Sequence, residues 1–515
     1  MLKEVLLGKT GMRGMIGKMR VTGMLRALGL ALSLAAVSIS AAASDQNASK
    51  IQEGALNGVA YSLNGVVRGY NEDLYFRPAS TEKVITALAA LSYLGPNYQI
   101  KTRLLISSKA LSSSNKIVTQ NGVLNGDIEI EFRGDPFFTK QELYNLLNTL
   151  KDAGVRTISG NVYLNSGYFA GHDYATGWSW DDLPKCFTAP PSSIIINGNC
   201  VSAKLSATKI GGPVSVEIPE GMPISVIASD VEVVSPSEYY GGCELEMDRN
   251  SQNIYRLSGC IPVQQKGKPL GLSFAIQDPE QWGKDLTAQV LNKLKIQVNG
   301  KIEPVRKSAG TLSHYAAHHS KPIVAMLDKC LKRSVNLIAD SIARTIGTEF
   351  YKRPATYDMS LTAIRRILKG KGIDLGSATL IDGSGLSPHN YITPRQMLTV
   401  LQYIADNDRH LNMIKLFPVA GQSGTLGSRG SVMKPPLLKN VTAKTGTLNG
   451  VSNLAGFLTS KNGKLIPFVY FMNNLSYDDV TKRKLATKKI AKPHYAHERR
   501  ILEAIYNEET VRENR

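Results

Sequence analysis

The chain predicts an α+β fold, and three stretches carry that expectation. Val84–Leu94 is an apolar run of helical length stopped by Gly95-Pro96. Val441–Thr447 and Val451–Leu458 are strand-like runs separated by Asn449-Gly450, the pattern of a tight hairpin. Between them, from roughly 101 to 308, short alternating or β-branched runs such as Val214–Ile218 and Ile224–Ala228 are cut by Gly and Pro and read as mostly β. At 515 residues the chain exceeds what one core supports, so two or three domains are expected. A hydrophobic fraction of 43% with 20% charged residues excludes wholesale disorder.

Residues 1–43 read as a secretory signal. Basic positions extend to Arg26, an apolar stretch covers Ala27–Val37, and Ala41-Ala-Ala43 supplies a small-residue cleavage site, which puts the mature start near Ser44. Met19 and Met24 are alternative starts. The apolar core is short for a membrane span and no later segment is long enough for one, so the expectation is a periplasmic protein, soluble or loosely attached to a membrane surface.

The next stretch carries chemistry. Ser80-Thr-Glu-Lys83 opens the Val84–Leu94 run, and residues three apart share a helical face, so the Lys83 amine lies beside the Ser80 hydroxyl. Unpaired N–H groups at a helix start favour an oxyanion at whatever carbonyl Ser80 attacks. An isolated Ser-x-x-Lys is more often a capping serine with a solvated lysine. Copies at Ser113 and Ser206 sit in turn-like stretches, and the copy at Ser431 runs into Lys434-Pro-Pro436, where a helix stops. Ser334-Val-Asn336 precedes a helical pattern ended by Gly347, so both polar residues are expected to project from a helix start. Lys444-Thr-Gly446 lies on the first hairpin strand, where Gly446 lets a ligand approach the backbone and the Thr447 N–H can donate to an oxyanion. A second Lys-Thr-Gly, at Lys9, falls in the leader.

In this order and setting, the three motifs are those of the penicillin-recognising serine enzymes. The chain resembles the penicillin-binding protein 4 family of D-alanyl-D-alanine carboxypeptidase/endopeptidases. Phe132-Arg-Gly-Asp-Pro136, Gly177-Trp-Ser-Trp-Asp-Asp182, Cys186-Phe-Thr-Ala-Pro-Pro191, Ile381-Asp-Gly-Ser-Gly-Leu-Ser387 and Gly421-Gln-Ser-Gly-Thr-Leu426 extend the likeness over nearly all of the chain after about residue 50. The resemblance implies a transpeptidase/β-lactamase-like catalytic domain, an antiparallel sheet flanked by helices, formed from 44–100 and 309–510. It also implies two inserted, mostly β accessory domains, one of 101–202 with 263–308 and a nested one of 203–262.

The resemblance assigns Ser80 as nucleophile, Lys83 as general base, Ser334 as proton relay, Asn336 as the residue orienting Lys83 and the substrate amide, and Lys444 as the partner of Ser334 and of the substrate carboxylate. Thr445, Gly446, Thr447 and Asn449 line the substrate, and the Ser80 and Thr447 N–H groups form the oxyanion hole. Asp182 and Phe187 fit the family's pair for the diaminopimelate end of the stem peptide, although such a pair can equally be a cap and a core aromatic. Pro388 stands where relatives have arginine, and Asn449 where they often have glutamine, so carboxylate capture there is expected to be weaker or differently sourced.

The implied partners are peptidoglycan stem peptides and cross-links, with β-lactams as covalent inhibitors and no metal or organic cofactor. A β-lactamase is the alternative hydrolase, but no dedicated group for activating the deacylating water is evident. A catalytically silent cell-wall binding protein is the non-enzymatic alternative. Five cysteines in a secreted chain point to disulfides; Cys186 with Cys200 and Cys243 with Cys260 are the simplest pairs and match the family, leaving Cys330 in an apolar helical pattern as a buried thiol. His318-His319 and the other histidines lack metal-ligand spacing. The formal charge of +19 is only partly in the leader, whose six basic residues and one acidic leave about +14 on the remainder. An export signal and the lack of a basic, aromatic-interleaved motif argue against nucleic acid and for anionic envelope polymers. The cluster Lys482-Arg-Lys484 with Lys488-Lys489 reads first as a solvated face.

Overall fold

A computed structural model describes residues 54–250, 252–264, 267–308 and 310–513. The expected leader, residues 1–43, lies outside them. Both ends of the described chain meet in one antiparallel sheet of five strands, in the order Val441–Leu448, Val451–Thr459, Leu465–Asn473, Leu56–Leu63 and Val66–Tyr70. Leu448 faces Val451 across Asn449-Gly450, and Gly450 has φ 70°, the left-handed conformation such a two-residue turn requires. Alternation along the strands divides their side chains between two cores. Ala60, Phe457, Val469 and Phe471 pack with the helices Lys83–Tyr93, Ile323–Arg333, Asn336–Tyr351, Tyr357–Lys369 and Pro394–Leu411. Tyr61, Leu454, Phe468 and Tyr470 pack on the other side with Ile501, Leu502 and Ile505 of the helix His494–Tyr506. No helix among the described residues is long and apolar enough to cross a membrane.

The chain leaves this body after Tyr93 and builds a second five-stranded sheet, in the order Ile302–Val305, Val162–Asn165, Ile128–Glu131, Lys101–Ser107 and Leu312–His319. The last strand pairs antiparallel with Lys101–Ser107, so residues 312–319, beyond the expected return at 309, are held by this sheet. Two helices absent from the mostly β reading, Lys140–Asp152 and Pro279–Leu294, bury Leu143, Leu147, Trp282, Leu286 and Val290 in its core. Both have start signals, a Thr139/Glu142 capping box and an Asp278 cap followed by Pro279. A further pair of three-stranded sheets covers Cys200 to Ala275 and shares a core of Leu205, Tyr255, Ile261 and Phe274. Disulfides join Cys186 to Cys200 and Cys243 to Cys260, and Cys330 is a buried free thiol.

Arg344 locks the inserted part to the helical part. Its side chain is fully buried on the helix Asn336–Tyr351, and its guanidinium donates to the carbonyls of Pro191 at 2.9 Å and Ala170 at 2.8 Å. It lies over the rings of Phe169 and Tyr357 and pairs with Asp173 at 3.4 Å. A buried cation is tolerated only with such partners.

Candidate active site

Ser80 lies in a 3-10 turn, Ala79–Glu82, and the α-helix proper begins at Lys83. The expected first helical turn is thus wound more tightly, as is common at helix starts. Lys83 still reaches back, and its Nζ donates to Ser80 Oγ at 2.9 Å. The same amine donates to Asn336 Oδ1 at 2.7 Å and to the carbonyl of Ser384 at 2.6 Å, which uses all three of its protons.

Backbone geometry at the turn is tightly prescribed. Ala79 has φ 48°, an unfavourable conformation for a residue with a Cβ, costing about 1 kcal/mol or more. Gly385 faces it so closely that a Cβ there would lie 1.9 Å from the Ala79 carbonyl oxygen. Asn453, on the second hairpin strand, donates to the carbonyls of Arg77 at 2.9 Å and Pro78 at 3.0 Å, tying the turn to the sheet. Gly446 permits that approach, since a Cβ there would come within 2.6 Å of the Pro78 oxygen.

Ser334 is not at a helix start as expected. It ends the helix Ile323–Arg333 in the left-handed conformation, φ 59°, and Asn336 opens the next helix. The reversal aims the Ser334 hydroxyl at the sheet, where Lys444 Nζ donates to it at 2.8 Å and to the Thr445 carbonyl at 2.7 Å. Thr445 in turn donates to Thr425 Oγ1 at 2.8 Å.

Lys83 and Lys444 are both fully buried, and desolvation depresses both amines, Lys444 well below its usual value with the nearby Lys83 charge adding to the effect. Cys330, Asp340, Asp382 and Glu82 oppose the shift at Lys83. Of these, Glu82 is held well above the usual carboxylate range by burial and by Asp382, and Asp340 is raised to about 8 by burial and the same neighbour. Burial pushes the Cys330 thiol up to about 11, consistent with an inert buried thiol.

The loop Ile381–Ser387, part of the family likeness, has a structural task that local sequence does not reveal. Its Asp382 is fully buried and accepts five hydrogen bonds, from the N–H groups of Ser384, Gly385 and Ser387, from Asn390 Nδ2 and from Trp178 Nε1. The loop so folded presents the Ser384 carbonyl to Lys83.

In front of Ser80 lies a cleft of about 550 Å³ whose walls include Arg77, Asp182, Phe187, Ser334, Asn336, Pro388, Thr447 and Asn449. Asp182 and Phe187 therefore face the same cleft as the three motifs. The Asp182 carboxylate pairs with Lys185 at 2.6 Å, and the Phe187 carbonyl accepts from Asn336 Nδ2 at 2.8 Å. Arg77, which belongs to none of the three motifs, adds a cation to the cleft wall. Ser431, the accidental motif copy, is buried with its hydroxyl on Glu498, which also pairs with Arg429.

The sequence matches the signature of the D-Ala-D-Ala carboxypeptidase 3 (S13) family over residues 39–493. It is 40% identical over 422 residues to the D-alanyl-D-alanine carboxypeptidase DacB of Haemophilus influenzae, spanning 82% of this chain and 85% of that protein. The crystal structure of penicillin binding protein 4 from Haemophilus influenzae superposes with a TM-score of 0.81 at 38% identity, covering 90% of this chain and 98% of the other. A second crystal structure of that protein, complexed with a novel β-lactam, superposes with a TM-score of 0.77 at 37% identity and the same coverage.

Proposed function

Because the chain belongs to the D-Ala-D-Ala carboxypeptidase 3 (S13) family, we propose that it is a serine-type D-Ala-D-Ala carboxypeptidase and DD-endopeptidase of peptidoglycan stem peptides and cross-links. The observation that carries this reading is the Lys83 amine held 2.9 Å from Ser80 Oγ by Asn336 and the Ser384 carbonyl.

Burial lowers the proton affinity of Lys83 and so favours its neutral form; the neutral amine turns its lone pair to Ser80 and accepts the hydroxyl proton as Oγ attacks the penultimate D-Ala carbonyl. The N–H groups of Ser80 and Thr447 receive the oxyanion. Ser334, held by Lys444, passes a proton to the departing amine, and Lys444 attracts the terminal carboxylate. Loss of D-alanine, or of a cross-linked strand, leaves an acyl-enzyme that water hydrolyses. A β-lactam offers the same carbonyl and leaves a long-lived adduct on Ser80. Asp182 and Phe187 receive the side chain of the residue before D-Ala-D-Ala, with Thr445, Gly446 and Asn449 along the peptide.

The same reading assigns 44–100 and 309–510 to the catalytic domain, 101–202 with 263–308 and 203–262 to accessory domains, and the mature protein to the periplasm. Ser80→Ala is the test. Loss of D-alanine release and of fluorescent penicillin labelling, with unchanged unfolding behaviour, is expected; retention of either activity removes Ser80 from its role.

A further inference from the structure

A second cleft, of about 880 Å³, continues from the first around the Asn449-Gly450 turn; the two share Thr447, Leu448 and Asn449 as a common wall. Its charged lining is Lys482, Lys488 and Lys492; His494 lines it too, and no Asp or Glu is among the lining residues. The three lysines are exposed. Lys482 has a surface partner in Asp479 at 3.2 Å, whereas Lys488 and Lys492 form no ion pair among the described residues. Burial lowers His494 to about 4, so it is neutral at neutral pH and the positive charge of this cleft comes from the lysines. Arg77, also without a carboxylate partner among the described residues, stands on the first cleft close to Gly450. Cations thus line the route from Ser80 past the turn.

The direction of a bound peptide follows from the proposed function, on which this inference rests. With the terminal carboxylate at Lys444 and the scissile carbonyl at Thr447, the donor runs antiparallel to the Val441–Leu448 strand. Beyond the residue whose side chain Asp182 and Phe187 receive in the first cleft, its upstream part therefore leaves past Leu448 and Asn449, into the second cleft. We infer that Lys482, Lys488 and Lys492 form a subsite for carboxylates on the donor peptide upstream of D-Ala-D-Ala. Such a subsite raises the affinity for acidic donors and leaves the bond-breaking groups untouched, because none of the three lysines touches Ser80, Lys83, Ser334 or Lys444.

The experiment compares two pentapeptides ending in D-Ala-D-Ala, one with two free carboxylates upstream and one with both amidated, at low salt. Two carboxylates facing three exposed lysines are expected to give the parent a preference of roughly three- to tenfold in kcat/KM for the carboxylate peptide, residing in KM. The preference should fade as salt screens the lysines. K482A/K488A/K492A should abolish it while turning over the amidated peptide within about twofold of the parent, and the triple Lys→Arg variant should retain it. A parent without preference, or an alanine variant that keeps it or slows both peptides equally, overturns the subsite. D-alanine release from the amidated peptide reports on the reaction independently, so its absence in the parent refutes the proposed function itself.

Discussion

Replacing Asp382 by asparagine tests whether the loop behind Lys83 positions the base. Five donors converge on the Asp382 carboxylate at 2.6–3.2 Å, three on one oxygen and two on the other. A carboxamide retains one acceptor oxygen, so in either orientation at least two donors meet an NH2 group. Each stranded buried donor costs about 1–3 kcal/mol, giving a loss of about 2–6 kcal/mol, partly offset by removing one negative charge from the neighbourhood of Glu82 and Asp340. The Ser384 carbonyl sits inside this network and holds Lys83 at 2.6 Å. A displacement of about 1 Å in such a contact can lower a rate by about 10²-fold. The assay is the second-order rate of fluorescent penicillin acylation, measured across pH and alongside urea unfolding. Asp382→Asn should acylate roughly 10- to 100-fold more slowly and unfold at lower urea. Because Asp382 raises the proton affinity of Lys83, the rising limb of the pH profile should also move to lower pH, which a purely structural lesion would not cause. A rate within about twofold of the parent, with an unmoved profile and unfolding midpoint, would refute the positioning role.

Three further outcomes follow from the same geometry. If Lys83 is the general base, as proposed, acylation requires its neutral form, which burial favours: the rate should rise with pH through a midpoint below the ordinary lysine value of 10.5 and fall as acid protonates the amine, as read from a stopped-flow pH profile. Gly446→Ala puts a Cβ 2.6 Å from the Pro78 carbonyl, so it should separate the strand from the Ser80 turn and slow penicillin acylation by about tenfold or more while the protein remains folded by circular dichroism. Replacing both Cys186 and Cys200 by alanine opens a loop with a sequence separation of 14; about 3 kcal/mol of stability should be lost in denaturant titration, together with the Phe187 contact to Asn336.

The parts of the site legible from sequence are those fixed by local geometry. Ser80 and Lys83 are three residues apart, the Asn449-Gly450 turn sets the register of the Lys444 strand, and the two disulfides close short segments. Asp382 was not legible, because its partners include Trp178, more than 200 residues away, and an Asp in a Gly-rich loop looks like a turn residue. The placement of Ser334 was missed for a related reason: φ 59° at a serine has no propensity signal and is imposed by packing between two helices. Inside the insertion the helices Lys140–Asp152 and Pro279–Leu294 were obscured by surrounding β-branched runs, although Thr139 with Glu142 and Asp278 with Pro279 mark their starts.

The buried guanidinium of Arg344 ties the excursion between the three sequence motifs to the helical layer. Pro191 and Ala170, which accept its protons, and Phe187, which steadies Asn336, all belong to that excursion. A shortened chain that joined residue 100 directly to residue 309 would strip the Arg344 guanidinium of Pro191, Ala170, Phe169 and Asp173 and would free the amide that holds Lys83. The segment that looks like an accessory is therefore a structural half of the candidate site, and a compact ancestor or design lacking it would need a new acceptor for Asn336.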